Sequence, residues 1–217
     1  MEITLENVWH SYDGETYALK NINLNFKSPG VYLLVGPNGA GKTTLLKITS
    51  LMIKPLRGRV LVNGVSFWDL DNDSRNLIRN PITYVHDKPI LVRGTVKFNV
   101  ELGVKLKKKT DYSVVEYYIT RYGLKEVENK GVNKLSAGQA KAVSIVRALV
   151  LEPAVLVLDE PFTYLDSTRS MLLIEDITRI VRERNGMVLI ATHYMYRELR
   201  NIATEFIEIV NGEISSH

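Results

Sequence analysis

An α/β fold built on a mostly parallel sheet is predicted for this chain by three observations. Short, near-continuous apolar runs at Val31 to Val35, Ala154 to Leu158 and Met187 to Ala191 have the character of strands buried on both faces. Segments with helical spacing alternate with them, as crossovers between parallel strands require. Polar residues then emerge just past each run: Gly36 to Thr44 after the first, Asp159-Glu160 after the second, Thr192-His193 after the third. That pattern puts a ligand site at the carboxyl edge of the sheet.

In chain order, Ile3 to Trp9 and Ile22 to Phe26 alternate apolar with polar and read as half-buried antiparallel strands, the start of a second, antiparallel β part. Ser11 to Glu15 between them is a turn cluster carrying Tyr12, a ring that either packs or, near a nucleotide, stacks on a base. Val31 to Val35 is central, and Leu45 to Ile53 is a helix that Pro55 and Gly58 close. Arg59 to Gly64 reads as a short strand ending in a turn, Leu70 to Asn80 as helix-compatible, and Ile82 to His86 as strand. From Leu91 to Leu151 no strand pattern appears, and Val96 to Gly103, Tyr112 to Tyr122 and Ala137 to Leu151 have helical spacing. This is a helical insertion, closed by Pro153. Ser167 is expected to cap a long helix reaching Arg184, and Glu205 to Ile214, with Asn211-Gly212 at its turn, a terminal hairpin. The chain thus divides into a core of residues 1–87 and 153–217 and a helical part of 88–152.

Composition narrows the function classes. The 217 residues are 45% hydrophobic and 24% charged, as in soluble globular proteins. No apolar run is long enough to cross a bilayer, no repeat of about 20–50 residues is visible, and Met1 to Thr4 lacks the basic and apolar regions of a secretory leader. A cytoplasmic location is expected, with docking on a membrane from that side left open. The absence of cysteine excludes disulfides and thiolate metal sites. Net charge is a modest +4, and the dense run Lys105 with Lys107-Lys108-Lys109 has no interleaved aromatics, so it reads as a solvated loop and no nucleic-acid partner is expected.

The chemistry begins at Gly36-Pro37-Asn38-Gly39-Ala40-Gly41-Lys42-Thr43-Thr44, where a glycine, four residues and Gly-Lys-Thr stand between a strand and a helix. Glycines open backbone conformations that let several N–H groups face one concavity, and the helix adds the positive end of its dipole. Lys42 reaches the β and γ phosphates of a nucleoside triphosphate, and the Thr43 hydroxyl is placed to ligate Mg²⁺. Asp159 is expected to orient Mg²⁺ or its waters, Glu160 to polarise the attacking water, and His193 to contact the γ phosphate. Leu135-Ser136-Ala137-Gly138-Gln139 opens another helix, where Ser136 either simply caps it or frames a second anion site that closes over a neighbour's nucleotide.

Taken together, these motifs resemble the nucleotide-binding subunits of ATP-binding cassette (ABC) transporters over almost the whole chain. The order matches: an aromatic loop at Tyr12, the phosphate loop, a loop after the Tyr84 to His86 strand, a signature at Leu135 to Gln139 with alanine at its first glycine position, the acidic strand, Tyr164-Leu165-Asp166, and His193. The resemblance implies a P-loop NTPase core of RecA-like type and a head-to-tail dimer, homomeric or with a second ABC subunit. Two ATP would be sandwiched between one phosphate loop and the other subunit's Ser136 and Gly138. It implies Tyr12 as adenine platform, Asp166 in communication across the dimer, and integral membrane permease subunits as partners on the inner face of the cell membrane. It also implies import, with an oxyanion such as tungstate as a lead for cargo.

One residue departs from the family pattern. Glutamine normally occupies the loop after the Ile82 to His86 strand, and Asp87 stands there, with His86 in its place if the register slips by one. Aspartate offers a charged oxygen for the metal and no amide donor, which predicts slower turnover and an altered metal preference. Two rival readings follow from the same residues: a soluble ABC ATPase of an assembly or repair complex, and a non-hydrolytic nucleotide-gated module.

Overall fold

The computed structural model describes residues 1–106, 112–194 and 196–215. The lysines at 107–109, expected to be a solvated loop, lie outside the described residues. Two sheets form the framework. The first is four-stranded and antiparallel, in the order β2 (Tyr17–Lys27), β1 (Glu2–Ser11), β4 (Arg57–Val62), β5 (Val65–Ser66). The second is six-stranded, in the order β10 (Glu213–Ile214), β9 (Glu205–Val210), β3 (Gly30–Val35), β8 (Met187–Ala191), β7 (Val155–Asp159), β6 (Ile82–Val85). Only the β9–β10 pairing in it is antiparallel.

The near-continuous apolar strands sit where both faces are covered. Along β3, Val31 and Leu33 enter one hydrophobic cluster while Tyr32 and Leu34 enter the other, and β7 and β8 divide their residues in the same way. A strand between two cores has no solvent face on which polar residues could alternate. One core fills the space between the sheets around α1 (Lys42–Thr49). The other lies under the helical part, α3 (Val96–Leu106), α4 (Ser113–Arg121) and α5 (Ala137–Leu149), and under α6 (Ser167–Arg184). The helical insertion therefore shares its core with the sheet.

A buried acid also ties it down. Asp176 of α6 accepts from the Tyr122 hydroxyl (2.9 Å), Arg121 Nε (3.3 Å) and Arg179 Nη2 (2.7 Å), joining the end of α4 to the core. Burial pushes its carboxyl above the usual range against the pull of these partners.

Several boundaries move from the sequence expectations. The first helix starts at Lys42 and ends at Thr49, because the phosphate loop itself supplies its first turn. The cap of α6 is Asp166, whose extended backbone and carboxylate accepting from Arg169 N (2.8 Å) make Ser167 the first helical residue instead. His86 falls outside β6, the Asn63-Gly64 turn leads into the short strand β5, and two helices sit at α2 (Asn72–Arg79) and α7 (Arg197–Ile202), the latter too short for a periodic signal.

Candidate active site at the carboxyl edge

Between β3 and α1 the chain needs backbone that only glycine supplies cheaply. Gly36, Gly39 and Gly41 have φ of 141°, 80° and 107°. A Cβ on Gly36 would collide with the carbonyl of Ile209, and one on Gly41 with that of Ala18. The N-terminus of α1 receives no side-chain cap, and its first turn holds no acidic residue. Its free N–H groups and dipole therefore remain available to an anion. Lys42, itself buried, donates from Nζ to the carbonyls of Gly36 (2.7 Å) and Pro37 (3.0 Å), so its ammonium rests against the loop.

The next strands bring up the acids. Asp159, at the end of β7 and 3% exposed, accepts from the Thr43 hydroxyl at both carboxylate oxygens (3.1 and 2.9 Å) and from the Tyr84 hydroxyl at Oδ2 (3.0 Å). Burial, reinforced by Asp159, raises the Tyr84 phenol far above its ordinary pKa and keeps it a donor. Glu160 turns off the strand in the left-handed region (φ 43°), its N–H held by Ala191 O (2.8 Å). Its Oε2 lies 2.9 Å from His193 Nδ1, which assigns the Nδ1 proton to that contact.

Lys42, Thr43, Thr44, Asn38, Gly39, Gly41, Asp159, Glu160 and Asp87 line one cleft of about 270 Å³. Asp87 takes that place; the His86 ring packs on Tyr84 (4.7 Å between centroids). Tyr12 stands 64% exposed at the cleft's border, its hydroxyl 3.3 Å from Thr44 Oγ1 and its ring edge-on to His10. Its loop is pre-ordered by Asp13, which accepts from the N–H groups of Thr16 and Glu15 and the Ser11 hydroxyl. Those bonds hold the Asp13 carboxyl down at about 2.

Leu135 to Gln139 are not among the lining residues of this cleft. Ser136 caps α5 in a reciprocal box, accepting from Gln139 N (3.2 Å) while Gln139 Oε1 accepts from Ser136 N (3.1 Å). Gly138 is required there, since a Cβ would come within 2.7 Å of Tyr164 O. Asp166 pairs with Arg169 (2.7 Å), whose Nε donates to Tyr122 O. One side chain in the centre carried no motif: Lys141 of α5, fully buried, donates from Nζ to the carbonyls of Asp87 (2.8 Å), His86 (3.0 Å) and Asp159 (3.4 Å). Its signal in the sequence was a lysine on the same helical face as Ile145 and Ala148.

The family model described as "ABC transporter" matches residues 19–163. Tungstate uptake system ATP-binding protein TupC of Peptoclostridium acidaminophilum is 32% identical over 218 residues, covering 99% of this chain and 97% of the relative. Phosphate import ATP-binding protein PstB 2 of Natronomonas pharaonis is 30% identical, covering 98% of this chain and 78% of the relative. Among solved structures, the dimeric post-hydrolysis state of the ATP-binding cassette MJ0796 bound to ADP and Pi superposes with a TM-score of 0.88 at 30% identity, covering 99% of this chain and 97% of that one. With the glycine loop, the acidic strand end and His193 gathered on one sheet edge, this chain belongs to the ABC transporter family as one of its ATP-binding subunits.

Proposed function

We propose that the chain hydrolyses ATP in a two-subunit sandwich and thereby powers a membrane permease in the import direction. The observation that carries this reading is a divided site: Lys42, Thr43, Asp87, Asp159 and Glu160 share one cleft, while Ser136 and Gly138 stand outside it. A second cassette facing head to tail would supply its own Ser136 and Gly138 to the ATP held here, and Asp166 would lie between the two sites. Tyr12 is the adenine platform. The 88–152 part moves against the core through the loop at Asp87 to Pro89, with the Asp176 network as its anchor on α6. The subunit docks on permease subunits from the cytoplasmic face, a reading supported by its similarity to importer ATP-binding proteins; no helix among the described residues is long and apolar enough to cross a membrane. The full-length match to the tungstate relative supports an oxyanion as cargo.

The donor set fits Mg²⁺. Thr43 and Asp159 present hard oxygens side by side, and the Thr43 hydroxyl, donating its proton to Asp159, keeps its lone pairs free for a cation. Among the described residues no group of three or more His, Cys, Asp or Glu could hold a metal, so waters and phosphate oxygens would complete the shell around these two ligands. Bound there, with Asp87 as a further oxygen donor, the ion would offset charge on the β and γ phosphates. The loop N–H groups and Lys42 bind the same phosphates and fix their orientation. Glu160 accepts the proton of the attacking water at a carboxylate oxygen. His193 holds Glu160 through Nδ1–H, and its Nε2 edge is the part of the ring left to meet the γ phosphate.

Hydrolysis of ATP with Mg²⁺, compared between the protein and its Glu160→Gln variant, tests the reading. A fall in kcat of roughly 10²-fold or more is expected, the range for loss of a general base, with the variant accumulating as an ATP-bound dimer on size exclusion. Activity no higher than the variant's would favour a non-hydrolytic module. Capture of tagged Glu160→Gln from gently solubilised native membranes should bring a multi-span membrane protein. Soluble partners alone would favour the assembly or repair reading.

A further inference from the structure

We infer that Lys141 is a positioning residue for hydrolysis: its buried cation pins the loop carrying Asp87 to the acidic strand end and offsets the charge that Asp87 adds. The geometry is specific. Lys141 rises from the first turns of α5, one turn past the capped Ser136, and its Nζ reaches His86 O and Asp87 O on one side and Asp159 O on the other. Three segments, α5, the loop at His86-Asp87 and the end of β7, are thus joined at one ammonium. A fully buried lysine is costly unless its charge is answered. Here it is answered partly by carbonyl dipoles and partly by the field of three carboxylates, of which Asp87 acts most strongly, ahead of Asp159 and Glu160. Desolvation nevertheless pushes the ammonium down to about 8.

Asp87 and Lys141 therefore belong together. An aspartate where the family has glutamine brings a negative charge toward the γ phosphate, and a cation on the same loop's backbone removes part of that penalty. Without Lys141, the loop would lose its donor and Asp87 its counter-charge. The effect should appear in the rate of the chemical step rather than in ATP affinity, since Lys141 is not among the residues lining the cleft.

This inference rests on the ATPase reading, and the test is a double-mutant cycle with Lys141→Gln and Asp87→Asn, read in kcat, KM for ATP and thermal unfolding without nucleotide. Lys141→Gln should lower kcat by about tenfold, mid-range for coupled neighbours, with KM changed less than about threefold. Asp87→Asn will change kcat by itself, since Asp87 faces the metal site, but adding Lys141→Gln in the Asp87→Asn background should cost well under the roughly tenfold it costs in the parent protein. The Tm loss of Lys141→Gln should likewise shrink in the Asp87→Asn background. Should Lys141→Gln fold poorly, Lys141→Arg keeps the charge and should retain more activity than Lys141→Met. Effects that simply multiply in kcat and add in Tm, or Arg and Met variants of equal activity, overturn the pairing. A wild-type protein without ATPase activity would overturn the functional reading instead, and the nucleotide-free Tm cycle would still decide for or against the pair.

Discussion

Two helices of this protein begin at motifs to which the proposed function assigns phosphate contacts, and their N-termini are built in opposite ways. That of α1 has no side-chain cap, no acidic residue in its first turn and a lysine resting in the loop before it. That of α5 is closed by its own side chains, Ser136 and Gln139 each satisfying an N–H of the other. An uncapped helix end leaves its first amide donors to water or to a ligand, and here they face the cleft. A boxed end is stable alone, and what it still offers is the Ser136 hydroxyl proton, because capping uses only the oxygen's lone pair. In the proposed function the first end holds a nucleotide by itself, and the second lends one hydrogen bond to a nucleotide held by the other subunit.

The hardest test of this contrast is Lys42→Ala. Removing the cation from the open end should abolish tight ATP binding and lower hydrolysis by about 10³-fold or more, since Lys42 is the one charged group that answers the phosphates within the loop. Equilibrium binding of a fluorescent ATP analogue to the single subunit checks it. Retained affinity would mean that backbone amides suffice and that the loop lysine rests where it does for structural reasons.

Ser136→Ala should separate the two ends. It removes both the cap and the donor, so stability should fall by about 1 kcal/mol, visible in chemical denaturation. ATP affinity of the single subunit should stay unchanged while hydrolysis falls by about 10- to 100-fold, the scale for one lost transition-state donor. A parallel loss of monomer affinity would place Ser136 in the same subunit's site and dissolve the comparison.

The open end and the boxed end were not equally legible in the sequence. Gly36 to Thr44 is a contiguous motif whose reading follows from local backbone chemistry, and its Asn38, Gly39, Gly41, Lys42, Thr43 and Thr44 line one cleft with Asp159 and Glu160, while Gly36, Pro37 and Ala40 shape the loop behind it. The three buried strands were read from their apolar runs because two cores leave them no polar face. What escaped depends on distant pairings. Lys141 reads as one more helix residue until α5 is laid against the loop at His86-Asp87. Tyr84 reads as strand packing until Asp159 arrives across the β6–β7 pair. Asp166 lost its cap to Ser167 for a simpler reason: both are good caps, and only the extended backbone of Asp166 decides between them.

Charge at the open end offers a subtler change. Asp87→Gln removes a negative oxygen donor beside the metal site and supplies an amide donor. The Mg²⁺ concentration for half-maximal hydrolysis should rise several-fold, on the order of 1 kcal/mol, and Mn²⁺ should support the variant relatively better. Titrations of both metals at saturating ATP check this. Unchanged curves would mean that Asp87 lines the cleft without touching the metal.

Gln139→Ala should have the smallest effect and probes the boxed end most finely. It deletes only the half of the box in which Gln139 Oε1 accepts from Ser136 N, leaving Gln139 N on Ser136 Oγ. The N–H it releases is exposed to water, so stability should fall by about 0.5 kcal/mol, less than for Ser136→Ala. Hydrolysis should stay within about twofold, because the Ser136 hydroxyl keeps its place and its proton. If hydrolysis instead fell as far as in Ser136→Ala, the glutamine itself would be reaching the neighbour's nucleotide. The box would then be a resting arrangement that opens when the dimer closes, and the two helix ends would differ less in the closed state than they do here.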